Sequence, residues 1–306
     1  LDGHIVVVGS LNMDLVIRTP RLPAVGETII GTDFHTFPGG KGANQAVAAA
    51  RLGGKVKMIG RVGSDSFGEM LLETVANDRV DTAHIFKDPE AATGVAFITV
   101  DSNGQNTIVV ASGANARLTP DDIDKAEEAF KGAAVLLLQL ESPISAVNHA
   151  IGLAHRYGAR VLLNPAPAQV LDVHFLSKVD YLVPNQTELA LMTGMESIQD
   201  AVKALGAVGL KRVIVTLGEE GVLVVEKGQE IHLPSHRVTV VDSTAAGDAF
   251  VGAFAVALTE GHPTLTAASW GSAAGALAVT RAGAGPSLPT RSEFEDFLSE
   301  GVTEKE

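Results

Sequence analysis

The stretch VVDSTAAGDAFVGAFA, residues 240–255, sets a carboxylate, Asp248, directly after Ala245, Ala246 and Gly247, with a second carboxylate, Asp242, just upstream. It reads as an apolar strand end, a tight turn of small residues and a helix starting at about Asp248. A helix start aims unpaired N–H groups into the turn before it and attracts anions. Residues without side-chain bulk let a phosphoryl group come close to those N–H groups. An aspartate in that position can take a proton from a hydroxyl that attacks the phosphorus. The same spacing also fits a plain helix cap, for which aspartate is a favoured residue. Taken alone, the segment supports both readings.

A second segment of this kind is FPGGKGANQAVAAARLG. Its Gly39, Gly40 and Gly42 permit unusual backbone angles and close ligand approach, and Lys41 and Asn44 bring a cation and an amide to a helix start. A flexible turn is the plainer reading, but two small-residue turns that each open a helix suggest a two-ended site. In GSLNMDLV, read as the end of the first strand, Asn12 and Asp14 are two residues apart, so an extended chain points both to one side. An amide and a carboxylate so placed can hold vicinal hydroxyls, as in a sugar, or form a polar turn.

Glu141 follows the apolar run AAVLLLQL and Asn164 follows RVLL. Polar groups at the carboxyl ends of parallel strands are where open α/β sheets bind ligands. In PNQTE, Asn185 and Glu188 stand three apart at a helix start, which suits either a capping box or water-mediated contact with magnesium and phosphate. TLGEEG, Thr216 to Gly221, reads by itself as a hairpin turn.

Several common chemistries lack their motif. There is no G-x-x-x-x-G-K-[ST], and no G-x-G-x-x-G follows a strand. No H-E-x-x-H occurs; His232 and His236 are four apart, but in strand-like sequence around Pro234, so no zinc site is expected. No G-x-S-x-G elbow marks a hydrolase.

These groups need a scaffold, and the sequence supplies one. HIVVVGS is a continuous apolar run, as a strand buried on both faces requires. Strand and helix patterns then alternate through KVKMIGRVG, TPDDIDKAEEAF, AAVLLLQLE, ISAVNHAIGLAHRYG, ARVLLNPAP, VDYLVPNQTELALMTG, KRVIVTLGEEGVLVVEKG, HRVTVVDSTAAGDAF and HPTLTAASWGSAAGALAVTRAGAG. Such alternation predicts an α/β fold, a central, mainly parallel sheet with helices on both faces. DLVIRTP, GETIIGTDFHTF, TGVAFITVD and NTIVVAS differ in character, being β-branched and partly alternating, with an Asn-Gly hairpin signal in DSNGQN. They predict a small, mostly antiparallel β-sheet built from two insertions. The expected boundaries are 1–12, 38–90 and 113–306 for the core domain and 13–37 and 91–112 for the small sheet.

Composition narrows the partners. The 306 residues carry a formal charge of −13, which disfavours nucleic acid. No run approaches a membrane span, and no export signal is visible at the start of the sequence. Cysteine is absent, which rules out disulfides and thiolate chemistry and fits a reducing cytoplasm.

Together the segments resemble the ribokinase-like (PfkB-type) family of carbohydrate kinases. Both family signatures are present, GGKGANQAVAAARLG and DSTAAGDAFVGAF, and the likeness runs in order along almost the whole chain. The resemblance implies ATP-dependent phosphorylation of D-ribose at its 5-hydroxyl by in-line transfer. It makes Asp248 the general base and the N–H groups of Ala245, Ala246, Gly247 and Asp248 an anion hole. Asn12, Asp14, Gly40, Lys41, Asn44 and Glu141 match sugar-contacting positions. Asn185, Thr216, Gly218, Gly221 and Ser272 match nucleotide-contacting positions, with Glu219 and Glu220 in the same turn. Glu188, with Asn185, matches the motif that organises Mg2+ through water. Asp242, Thr244, Ala278, Arg281, Gly283 and Ser287 match a site for a monovalent cation, usually K+, for which Asp242 is expected to offer an unpaired carboxylate. The small sheet matches a lid that also pairs subunits into a homodimer. Two departures stand out. STAAGD replaces the TTGAGD of many relatives, which leaves the cradle open if Ala245 has a negative φ. Glu219 and Glu220 stand where neutral or basic residues are expected near phosphates. The alternatives are a sibling kinase for deoxyribose, fructose or adenosine, and a non-catalytic sugar or nucleotide sensor.

Overall fold

The structure, a computed structural model, describes residues 3–303. The outermost ends of the expected core segments, 1–2 and 304–306, lie outside the described residues. The strands are β1 (His4–Val8), β2 (Asn12–Arg18), β3 (Asp33–Gly39), β4 (Val56–Gly63), β5 (Asp81–Asp88), β6 (Gly94–Val100), β7 (Asn106–Ala111), β8 (Ala133–Leu138), β9 (Arg160–Leu163), β10 (Tyr181–Leu182), β11 (Arg212–Thr216), β12 (Val222–Glu226) and β13 (Gln229–Leu233). The helices are α1 (Lys41–Arg51), α2 (Ser66–Asn77), α3 (Pro120–Lys125), α4 (Ile144–Tyr157), α5 (Val173–Leu176), α6 (Gln186–Thr193), α7 (Ile198–Ala207), α8 (Ala246–Thr259), α9 (Thr264–Ala278), α10 (Ala284–Ser287) and α11 (Arg291–Thr303).

Nine strands form one sheet in the order β13-β12-β11-β10-β9-β8-β1-β4-β5. The pairings from β5 to β11 are parallel, and β12 and β13 close the edge antiparallel. The continuous apolar runs now have their reason. Ile5 and Val7 of β1 join one buried cluster with α1, α8 and α9, while Val6 and Val8 join a second with α4. Alternate residues serve opposite faces, so a strand covered on both sides has no polar phase.

From β1 the chain steps outward to β4 and β5, then returns to β8 and builds the other half. The strand order therefore reverses between β1 and β8, and ligands of open α/β sheets bind outside the carboxyl ends at such a reversal. Ser10, Gln139, Glu141, Asn164, Asn185 and Thr216 all lie at or just beyond those ends.

The second sheet has the order β3-β2-β6-β7, with β2 and β6 parallel and the other two pairings antiparallel. Of GETIIGTDFHTF only the part from Asp33 onward lies in a strand, β3. Asn12 and Asp14 open β2 instead of ending β1. Arg61 braces the second insertion at both ends, reaching Asp88 before it and Asp122 after it, each at 2.7 Å.

One expected core strand is absent. HRVTVV has the β-branched pattern, yet residues 236–241 form no strand. The N–H groups of Val241 and Asp242 donate to the carbonyl of Val279 at 2.7 and 3.2 Å, which ties the segment to the end of α9. Conversely, β5 forms where no strand was expected, as the edge partner of β4. Among the described residues no helix is long and apolar enough to cross a membrane.

Candidate active site

The turn before α8 is tighter than expected. Ala245 has φ 61 and ψ 8, and the helix begins at Ala246. Asp248 is thus the third helical residue and not a cap, and no side chain caps this helix. The condition set for an open cradle, a negative φ at Ala245, is not met; the left-handed region costs an alanine on the order of 1 kcal/mol. The Ala246 N–H donates to the carbonyl of Ser243 at 3.3 Å, and the helical ladder starts with the Ala249 N–H on Ala245 at 2.8 Å. That leaves the N–H groups of Ala245, Gly247 and Asp248 without a protein acceptor among the described residues. Of the four amides expected at the anion hole, Ala246 alone is already engaged.

Asp248 is buried, and α1 holds its carboxylate from one side. Asn44 Nδ2 donates to Oδ2 at 3.0 Å and Gln45 Nε2 to Oδ1 at 2.9 Å. The contact depends on small residues where α1 crosses α8, since a Cβ on Gly252 would lie 2.6 Å from Ala48 Cβ. Burial pushes the Asp248 pKa up, against Lys41 and the two amides, which pull it down. Gln45 also donates to Asn164 Oδ1 at 3.0 Å and accepts from Gln139 Nε2 at 2.6 Å.

Beyond the ends of β1 and β8, Glu141 gathers the start of α1 and the start of β2. Its Oε2 accepts from Ser10 Oγ at 2.5 Å, from the Lys41 N–H at 3.1 Å and from Asn12 Nδ2 at 3.5 Å. Asn115, in the 3₁₀ turn Gly113–Arg117, donates to Asn12 Oδ1 at 2.8 Å and brackets the Leu11 peptide. Asp14 is raised to about 7 by burial and by the charges of Glu141 and Asp248, against Lys41. Burial works to lower the Lys41 pKa, but Asp248, Glu141, Glu188 and Asp14 outweigh it and raise it overall.

A cleft of about 210 Å³ has Lys41, Asn164, Glu188, Thr216, Gly247 and Asp248 among its walls, while Asn12, Asp14, Gly40, Asn44 and Glu141 do not line it. Asn185 and Ala245 also line it. Asn185 and Glu188 form a reciprocal capping box, at 2.7 and 2.9 Å. The bland reading of PNQTE is therefore realised, yet the pair still faces the cleft, and burial raises the Glu188 pKa. Gly218, Glu219 and Glu220 form a 3₁₀ turn closed at Gly221, outside the cleft wall, and Ser272 sits half-buried within α9.

Asp242 is not an unpaired carboxylate. Its Oδ1 accepts from the Thr244 hydroxyl at 2.6 Å and N–H at 2.9 Å, and its Oδ2 from the Gly283 N–H at 2.9 Å. Burial opposes its ionisation, but these donors outweigh it and hold its pKa below the usual range. The bonds pin the turn before α8 to the segment after α9. In that segment Ala278 accepts the Arg281 N–H, Arg281 pairs with Glu293, and the Ser287 hydroxyl donates to Ala284.

Sequence reasoning missed Ser10, Gln45, Gln139 and Asn115. Gln45 stood inside a quoted signature, and Gln139 directly ends an apolar strand; a polar residue in a buried position was the available signal.

Residues 2–291 match the pfkB family carbohydrate kinases. A curated relative, the ribokinase of Haemophilus influenzae, is 44% identical over 95% of this chain and 97% of its own length. The deoxyribokinase of Salmonella typhi is 40% identical over 96% and 98%. Among solved structures, Arabidopsis thaliana ribokinase complexed with ribose and ATP is 34% identical, covers 97% of this chain and 99% of that one, and superposes with a TM-score of 0.91. With its two sheets, its site at the strand-order reversal and these likenesses, the chain belongs to the pfkB family of carbohydrate kinases.

Proposed function

We propose that this chain transfers the γ-phosphoryl group of ATP to the 5-hydroxyl of D-ribose. One observation carries the reading: a carboxylate held by two amides, Asp248, stands at a helix mouth with three unclaimed N–H groups. Asp248 takes the proton of the 5-hydroxyl as that oxygen attacks in line. The mouth of α8 receives the charge that develops on the equatorial phosphoryl oxygens. Asn12, Asp14, Gly40, Lys41, Asn44 and Glu141 hold the sugar. Asn185, Thr216, Gly218, Gly221 and Ser272 line the path of the nucleotide, with Glu219 and Glu220 contributing backbone only. Closure of the small sheet excludes water.

Two cations fit the residues present. No cluster of three or more His, Asp or Glu among the described residues could cage a divalent ion. That suits Mg2+ arriving with the phosphates and meeting Glu188 through water, where it would neutralise phosphate charge. Asp242 stays ionised near neutral pH and keeps lone pairs beyond its three donors, which suits a weakly hydrated K+ shared with Thr244, Ala278, Arg281, Gly283 and Ser287. Such an ion would firm up the turn ahead of α8.

The small sheet favours a homodimer. Ile17, Phe34, Phe97 and Val109 are exposed and share one of its faces, since Ile17 pairs with Phe34 and Phe97 with both Leu15 and Val109. A patch of that kind on a soluble surface marks an interface. A cytoplasmic setting agrees with the absence of cysteine.

The deoxyribokinase relative supports a second reading, 2-deoxyribose as acceptor. ADP release over ribose, deoxyribose, fructose and adenosine, with and without potassium, decides. Ribose is expected to give the highest kcat/KM, and Asp248→Asn to lower kcat by about 10²–10⁴ while ribose binding survives. Product from none of the sugars would leave a sensor on the same fold.

A further inference from the structure

Two glutamines lie fully buried behind Asp248, Gln45 on α1 and Gln139 just beyond β8. We propose that they form a directional amide relay that fixes the Asp248 carboxylate in its proton-accepting orientation, Gln139 being a positioning residue that acts through Gln45. The proposal rests on the reading of Asp248 as the base.

The direction follows from donor and acceptor chemistry. An ionised carboxylate only accepts, so Gln45 must turn its NH₂ toward Asp248. That NH₂ meets Asp248 Oδ1 at 2.9 Å and Asn164 Oδ1 at 3.0 Å. The Gln45 carbonyl then faces Gln139, which must present its own NH₂, and does so at 2.6 Å. What remains is Gln139 Oε1, turned toward Gly9 and meeting no protein donor among the described residues. A Cβ on Gly9 would lie 2.1 Å from that oxygen, so only glycine leaves it room. Flipping both amides would set the Gln45 carbonyl against two acceptor oxygens. The demand of Asp248 at one end therefore fixes both amides and leaves the mismatch at the other.

The charged groups that face Asp248 are Lys41 from α1, Asp14 from β2, Glu188 from α6 and Glu141 beyond β8. A change at position 139 leaves all four in place. Gln139→Met keeps the volume and removes the donor to Gln45. With its orientation released, Gln45 bonds Asp248 less well, and the charged form of the base loses support.

The test compares Gln139→Met and Gln139→Glu with the unaltered chain and with Asp248→Asn. It reads ribose-dependent ADP release across pH, and ribose binding by calorimetry. Gln139→Met is expected to move the acidic limb of the kcat profile up by about one pH unit, with neutral-pH kcat down about tenfold. The KM for ribose should stay within about twofold, because Gln139 touches no substrate position. Gln139→Glu preserves shape and so carries the test if the Met variant fails to fold. Its neutral carboxyl can donate to Gln45, but once ionised it draws the Gln45 N–H groups away from Asp248. Its activity should therefore fall as pH rises, on a limb the unaltered chain lacks. Unchanged profiles in the folded variants, with Asp248→Asn inactive, overturn the relay and leave the base standing. Turnover surviving in Asp248→Asn overturns the base itself, and the relay with it.

Discussion

Two helices begin at small-residue turns in this site, and their mouths are finished differently. Both follow a residue at positive φ, Gly40 at 91° before α1 and Ala245 at 61° before α8, and neither is capped by the side chain of its own N-cap residue. At α1 the protein fills its own mouth. Lys41 donates to Glu141, Gly42 to the Ser10 hydroxyl at 3.3 Å and Ala43 to the Ser10 carbonyl at 2.9 Å. At α8 the Gly247 and Asp248 N–H groups are left open to the cleft. A helix N-terminus is an anion site only when its donors are unspent. The first mouth therefore spends its donors on the protein's own groups around Lys41, and the second keeps its donors unspent, as the proposed phosphoryl transfer requires.

A matched pair of substitutions breaks or sharpens that contrast. Gly40→Ala puts a Cβ 2.6 Å from the Asn12 nitrogen at a backbone angle alanine resists. It should lose about 3 kcal/mol or more in chemical denaturation. Gly247→Ala meets no atom within 4 Å and has an ordinary φ, so stability should hold or rise by about 0.5 kcal/mol. Its methyl group nevertheless stands at the open mouth, and kcat/KM for ATP should fall by up to about 10²-fold. Full turnover in a stable Gly247→Ala protein would remove the distinction between the mouths.

A smaller effect comes from Asp14, raised to about 7. Between the usual carboxylate range near 4 and about 7, the folded chain holds a proton that the unfolded chain has released. This contribution is complete below that window and is lost as pH rises through it, amounting to about 2 kcal/mol once screening is allowed for. Asp14→Asn should flatten the slope of stability against pH between those limits; an unchanged slope would place the titration elsewhere. The smallest effect is at Ala245. Ala245→Gly relieves the left-handed strain and should raise the denaturation midpoint by about 0.5 kcal/mol equivalent, whereas a lower midpoint would contradict the φ of 61°.

Much of this was legible in residue order. The run at His4–Val8, the capping box at Asn185 and Glu188, and the small-residue turns declare themselves through local chemistry. HRVTVV misled because its alternation is that of a strand, yet its N–H groups are taken by the Val279 carbonyl at the end of α9. Strand pattern states fitness for a pleated surface, and only tertiary neighbours decide whether one is available. The starting point of α8 was misplaced because alanine at positive φ leaves no mark in composition. Gln45 and Asn115 were passed over for a related reason. Their partners are 203 and 103 residues away, at Asp248 and Asn12, and nothing in an amide's own neighbourhood announces such a partner.

The seam between the two sheets carries one last implication. Asn12 and Asp14 open the central strand of the smaller sheet, and the residues beside them, Gly39 and Gly94, are glycines whose added methyl groups would strike those two side chains at 2.4 and 2.2 Å. The junction between the sheets is thus bare backbone at the residues proposed to hold the sugar. On that proposal, a side chain added at either glycine would disturb the fit of the two sheets and the grip on the acceptor together.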